Sequence, residues 1–146
     1  MRKKATVFAS ISGCIAVILG ALGAHGVSKL VADNDVASGM ISKEILHAYE
    51  TATHYQLLHA IALLAVVALP AMFTKHFNTV AYLFILGIIL FSGSIYILVL
   101  GDYLKINVKW AGPLTPLGGL FLIAGWFILF ISALKSKEAA NNEQKL

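Results

Sequence analysis

The chain predicts an all-α integral membrane protein: a bundle of four transmembrane helices with short loops and both termini cytoplasmic. Three observations carry that prediction. The 146 residues are 59% hydrophobic and 12% charged, where soluble domains carry about 25% charged residues. The mean hydropathy is +0.83. The apolar residues also collect in four continuous blocks, Ala5–Ala24, Leu57–Phe73, Val80–Leu100 and Leu114–Leu134. Each is near the roughly 20 residues that cross hydrocarbon as a helix. Continuous blocks, rather than alternating ones, argue against a barrel. A single domain over 1–134 and a polar, mobile cytoplasmic tail over 135–146 follow.

The first block carries Gly13, Ala16, Gly20 and Gly23 on one helical stripe, and the fourth carries Gly118, Gly125 and Ser132 spaced by sevens. Small residues let helices approach closely in lipid. These stripes are expected to pack together, or each against a neighbour. Ala24-His25-Gly26 closes the first span, and Val27 to Ile41 reads as an outer loop. Ser42 is placed to cap a helix over roughly Lys43 to Phe73, in which the weakly polar Ala52 to Gln56 complete a short apolar block. Pro70 is placed to bend its inner end. Lys75-His76-Phe77-Asn78 reads as a tight inner turn. The third span holds Ser92, Gly93, Ser94 and Tyr96. Asp102 to Ala111 is the second outer loop, with Tyr103 and Trp110 as interfacial anchors. Pro113 and Pro116 fall in the opening of the fourth span, where a missing N–H costs little.

The net charge of +4 does not point to nucleic acid. Arg2, Lys3, Lys4, Lys75, Lys135, Lys137 and Lys145 lie on the side of both termini, while most acidic residues, Asp33, Asp35, Glu44, Glu50 and Asp102, lie opposite. The positive-inside tendency then puts both termini in the cytoplasm, in a multi-pass protein of the inner (plasma) membrane. The lipid bilayer is the first partner, with a membrane-protein partner or a homo-oligomer beyond it. The basic start followed by apolar residues has the look of a signal peptide, and Ile11-Ser12-Gly13-Cys14 that of a lipoprotein processing site. The residues after Cys14 stay apolar for two more turns, which favours an uncleaved span. The single cysteine builds neither a disulfide framework nor a zinc spacing within the chain.

His59 is the feature that invites a functional reading, because an ionisable group inside an apolar span is costly. On a helix it shares a small-plus-polar face with Ala48, Ala52, Tyr55 and Ala62, with Gln56 at the margin. Antiparallel neighbours bring Ser92, Ser94 and Tyr96 from the third span and Thr115 from the fourth to its level, with His25 at the mouth. A polar pocket in the outer leaflet, lined by His25, Tyr55, Gln56, His59, Ser92, Tyr96 and Thr115, is the expectation. It suits a small-molecule or lipid binder, haem or metal held by His25 and His59, or proton or quinone chemistry. A small oligomeric carrier or proton-linked channel is a further alternative. The competing reading is a hydrogen-bond network that ties helices together. His47, Glu50 and His54 share another face and read as a solvated surface. No Ser-His-Asp arrangement, phosphate loop or carboxylate pair is present, so no catalytic residue and no particular cofactor are specified, and a non-enzymatic role is favoured.

Several blocks also resemble a known family. Gly20-Ala21-Leu22-Gly23-Ala24-His25-Gly26, then Tyr49 to Ala60, then Phe91-Ser92-Gly93-Ser94-Ile95-Tyr96, then Gly112 to Gly119 with Gly125-Trp126, are similar to the domain-of-unknown-function 423 family. That family includes small bacterial inner-membrane proteins and the eukaryotic transmembrane protein 256 group. The resemblance implies four transmembrane helices and membrane residence, and implies no activity.

Overall fold

In lipid every backbone N–H and C=O must be satisfied inside the segment, so long apolar runs fold as helices. The computed structural model describes residues 1–24, 39–69 and 76–143, and their side chains except at 39–43 and 136–143. Four long helices follow one another: α1 (Arg2–Leu22), α2 (Gly39–Ala68), α3 (Phe77–Leu104) and α4 (Leu114–Glu143). All four are long and apolar enough to cross a membrane. A short 3₁₀ turn, Lys109–Ala111, precedes α4.

Several boundaries differ from the sequence reading. α2 begins at Gly39, so Ser42 lies inside the helix rather than capping it. Phe77 and Asn78, read as turn, are the first residues of α3. α4 continues past Leu134 to Glu143. Helix ends are where local signals discriminate least. Pro70 and Lys75 lie outside the described residues, as does His25.

The helices pack in chain order, α1 on α2, α2 on α3 and α3 on α4, each antiparallel to the next. Among the described residues the backbones of α1 and α4 do not meet. The two small-residue stripes therefore serve different neighbours. Ala60 of α2 faces Gly13, and Tyr49 packs on Gly23. On the other side, Leu122 of α4 fills the notch at Gly87, Phe84 of α3 fills the notch at Gly125, and Gly118 lies against the backbone of Leu90 and Phe91. A side chain on Gly118 would meet Phe91 N at 2.3 Å, so only glycine permits this approach.

The apolar core sits toward the end that carries the N-terminus: Ala5 and Ala9 of α1, Leu63 and Val66 of α2, Phe77, Val80, Ala81, Phe84 and Ile88 of α3, and Leu122 of α4. Arg2 closes that end. Its guanidinium donates to the carbonyls of Val67 and Leu69 and lies 4.7 Å from the centroid of Phe77. The last carbonyls of a helix lack intrahelical partners and carry partial negative charge, so a cation there is favourable. At the other end, α3 stops at Lys105, which takes φ 56. The Ile106 N–H reaches Gly101 O at 2.9 Å and the Lys105 N–H reaches Asp102 O at 3.2 Å, which satisfies terminal carbonyls in the usual left-handed cap.

Candidate functional site

The buried face of α2 is Tyr49, Ala52, Thr53, Gln56, His59, Ala60 and Leu63. Three and four residues separate its members, the spacing of one helical face. The sequence reading had this face turned slightly. Gln56 is central to it, while Tyr55 is 43% exposed at its edge.

Gln56 ties three helices. Its Nε2 donates to Ser12 O of α1 at 2.9 Å, and its Oε1 accepts from the Tyr96 hydroxyl of α3 at 2.9 Å. Around it, Tyr49 OH donates to Leu19 O at 2.7 Å, and Ser92 Oγ donates to Ala52 O at 2.9 Å. The Tyr49 and Tyr96 rings meet edge to face at 5.6 Å. Ser94 Oγ and Thr115 Oγ1 pair at 2.7 Å, joining α3 to α4. Buried polar groups cost free energy unless bonded, and each of these groups is bonded.

His59 belongs to a second level. Its ring lies 5.7 Å from Tyr55, 5.7 Å from Phe84 and 6.2 Å from Trp126. Tyr55 stacks on Phe91 at 4.7 Å, and Phe84 meets Trp126 at 5.3 Å. His59 Nδ1 is 2.9 Å from Tyr55 O, and Trp126 Nε1 is 3.2 Å from His59 Nε2. A carbonyl only accepts and an indole N–H only donates. The ring therefore carries its proton on Nδ1 and accepts on Nε2. Both nitrogens are used.

The expected single pocket thus divides in two. Gln56, Ser92, Tyr96 and Thr115 form bonds nearer the ends that face the two interhelical connections away from the termini. His59 sits deeper, beside Phe84 and Trp126, and its neighbour Ala60 packs on Gly13 near the middle of α1. The physical reason is register. Ser92 lies opposite Ala52 and Phe84 opposite His59, so on α3 Tyr96 stands about three turns from the His59 level. Its long side chain reaches Gln56 and stops there.

Trp126 is the partner that the sequence reading missed. The signal was present: an indole N–H inside an apolar span needs an acceptor. Fit to a metal or haem is poor at this point. His59 offers no free nitrogen, and among the described residues no group of three or more His, Cys, Asp or Glu converges as a metal site.

Four spanning helices held by paired polar side chains define a small multi-pass membrane protein. Residues 19–119 match the family model described as "Protein of unknown function (DUF423)". A UPF0382 membrane protein of Staphylococcus aureus is 36% identical over 129 residues, covering 88% of this chain and 93% of its own length. The UPF0382 inner membrane protein YgdD of Escherichia coli is 37% identical over 132 residues, covering 90% of this chain and 89% of its own. The chain belongs to this DUF423/UPF0382 family, and the inner-membrane names of its relatives agree with a multi-pass inner-membrane location. No solved structure matches it.

Proposed function

We propose that this is a non-enzymatic inner-membrane protein, an accessory or lipid-binding bundle, in which the polar groups around Gln56 and His59 are framework rather than reaction site. The observation that supports this reading most is His59 itself. Both ring nitrogens have partners, and three aromatic rings enclose the imidazole. Its partners are a backbone carbonyl, which only accepts, and an indole N–H, which only donates, so neither is a group with which the imidazole exchanges a proton, and the Nε2 lone pair a metal would need is taken. The haem or metal alternative with His25 and the proton-linked carrier gain no observation of their own.

Both termini face the cytoplasm in this reading. The antiparallel order supports it by bringing the start of α1 beside the end of α2, where Arg2 reaches Val67 and Leu69. The basic residues Arg2, Lys3, Lys4 and Lys135 then share one side. The tail beyond Leu134 extends from that side.

The test is gentle purification of the full chain, followed by analysis of what accompanies it. Retained lipid or a constant partner chain supports the reading. A stoichiometric metal, or a haem absorbance that disappears in the His59→Phe variant, overturns it.

A further inference from the structure

A groove of about 460 Å³ lies between α1 and α2 at the end away from the termini. That volume lies within the range of about 300–1,000 Å³ typical of small-molecule pockets. Its wall on α1 is made of small residues, Gly20 and Gly23 among them, with Val17 further in. A Cβ on Gly20 would meet nothing within 4 Å, so the space beside it is open.

Its wall on α2 changes polarity in order. Glu50 is outermost, His54 is one turn deeper, and Leu57 is deeper again. Glu50 and His54 are both exposed. The other hydroxyl groups at the groove are already engaged: Tyr49 OH on Leu19 O and Thr53 Oγ1 on Glu50 O. Among the described residues, the carboxylate and the imidazole are the side-chain polar groups left to meet a ligand. No Lys or Arg lines the groove among the described residues.

From this order we infer that the groove holds one membrane lipid with a primary-ammonium head group, an aminophospholipid. The ammonium lies outermost in such a lipid and pairs with the Glu50 carboxylate. The phosphate lies next and accepts from a His54 ring N–H. Residues four apart on a helix face stand about 5–6 Å apart, which suits neighbouring charges of one head group. An acyl chain then passes Leu57 and Val17 along the apolar wall. The groove takes the head group and the upper part of one chain, while the rest of the lipid lies on the exposed face of α1. This site rests on the lipid-binding reading above and lies apart from His59.

The test uses the full chain in detergent, loaded with phosphatidylethanolamine or phosphatidylglycerol and read by native mass spectrometry. Glu50→Gln removes the charge at an exposed position. Gly20→Leu fills the groove from a position with open space. The wild type is expected to retain phosphatidylethanolamine over phosphatidylglycerol. Both variants are expected to lower phosphatidylethanolamine retention about tenfold, the scale of one charge-assisted contact. Phosphatidylglycerol binding should be unchanged in Glu50→Gln. Lipid retention that neither variant alters would leave a lipid-binding protein and overturn this site. No lipid retention in the wild type would overturn both.

Discussion

Replacing Gly118 with alanine tests the packing that positions everything else. The added Cβ would lie 2.3 Å from Phe91 N, 2.8 Å from Leu90 C and 2.8 Å from Phe91 Cα. Ordinary contact for a Cβ is 3.4–4 Å. All three atoms are backbone, so no side chain can turn aside, and α4 must move off α3 by about 1 Å. The Ser94–Thr115 bond, at 2.7 Å and one turn away, stretches beyond hydrogen-bond range. Overpacking of this kind costs about 1–3 kcal/mol. The lost interhelical bond adds about 0.6 kcal/mol, and alanine's better helix propensity returns at most about 1 kcal/mol. The net expectation is a loss of about 1–3 kcal/mol. Equilibrium unfolding of purified protein in mixed micelles, followed by circular dichroism, measures it. Gly20→Ala is the control, because its Cβ meets nothing within 4 Å and its stability should equal or exceed the wild type's. A Gly118→Ala protein within about 0.5 kcal/mol of wild type, the range of an ordinary surface change, would refute the argument.

Other perturbations probe the polar framework. Gln56→Leu removes the bonds to Ser12 O and Tyr96 OH together, and unfolding should show a loss of about 1–2 kcal/mol. A double-mutant cycle with His59→Phe and Trp126→Phe should give a coupling of about 0.6–1.7 kcal/mol, the scale of interhelical bonds in lipid, whereas zero coupling would mean the two rings only touch. Arg2→Gln leaves the Val67 and Leu69 carbonyls without their cation. It should cost about 1–2 kcal/mol and raise hydrogen exchange at the end of α2 ahead of the rest of the chain.

The spans were legible because membrane solvation acts on composition. A run such as Val80–Leu100 has no other stable form in lipid, and the structure shows it as α3. The burial of His59 and Gln56 was legible for a similar reason: neither can face hydrocarbon without a partner. What could not be read was which partner each would find. That depends on register, and register here is set by pairs of residues on different helices, Leu122 in the notch at Gly87 and Phe84 in the notch at Gly125. Neither pair leaves a mark in the sequence of one helix. A shift of about three turns would have brought Tyr96 to His59. The observed fit gives His59 to Trp126 instead. Glu50 and His54 are exposed, as the sequence reading has them. What their own helix does not carry is the gap beside Gly20 on α1, which makes this face the border of a groove.

We read His59 as a held framework group with both ring nitrogens engaged. The most direct measurement is the ¹⁵N spectrum of histidine-labelled protein in lipid bilayers, with His59 assigned by loss of its signals in His59→Phe. A His59 held in this way has a protonated Nδ1 and an unprotonated, hydrogen-bonded Nε2, with signals unmoved by added zinc or haem. A proton on Nε2 with a bare Nδ1, or His59 signals that shift when metal or haem is added, would contradict it.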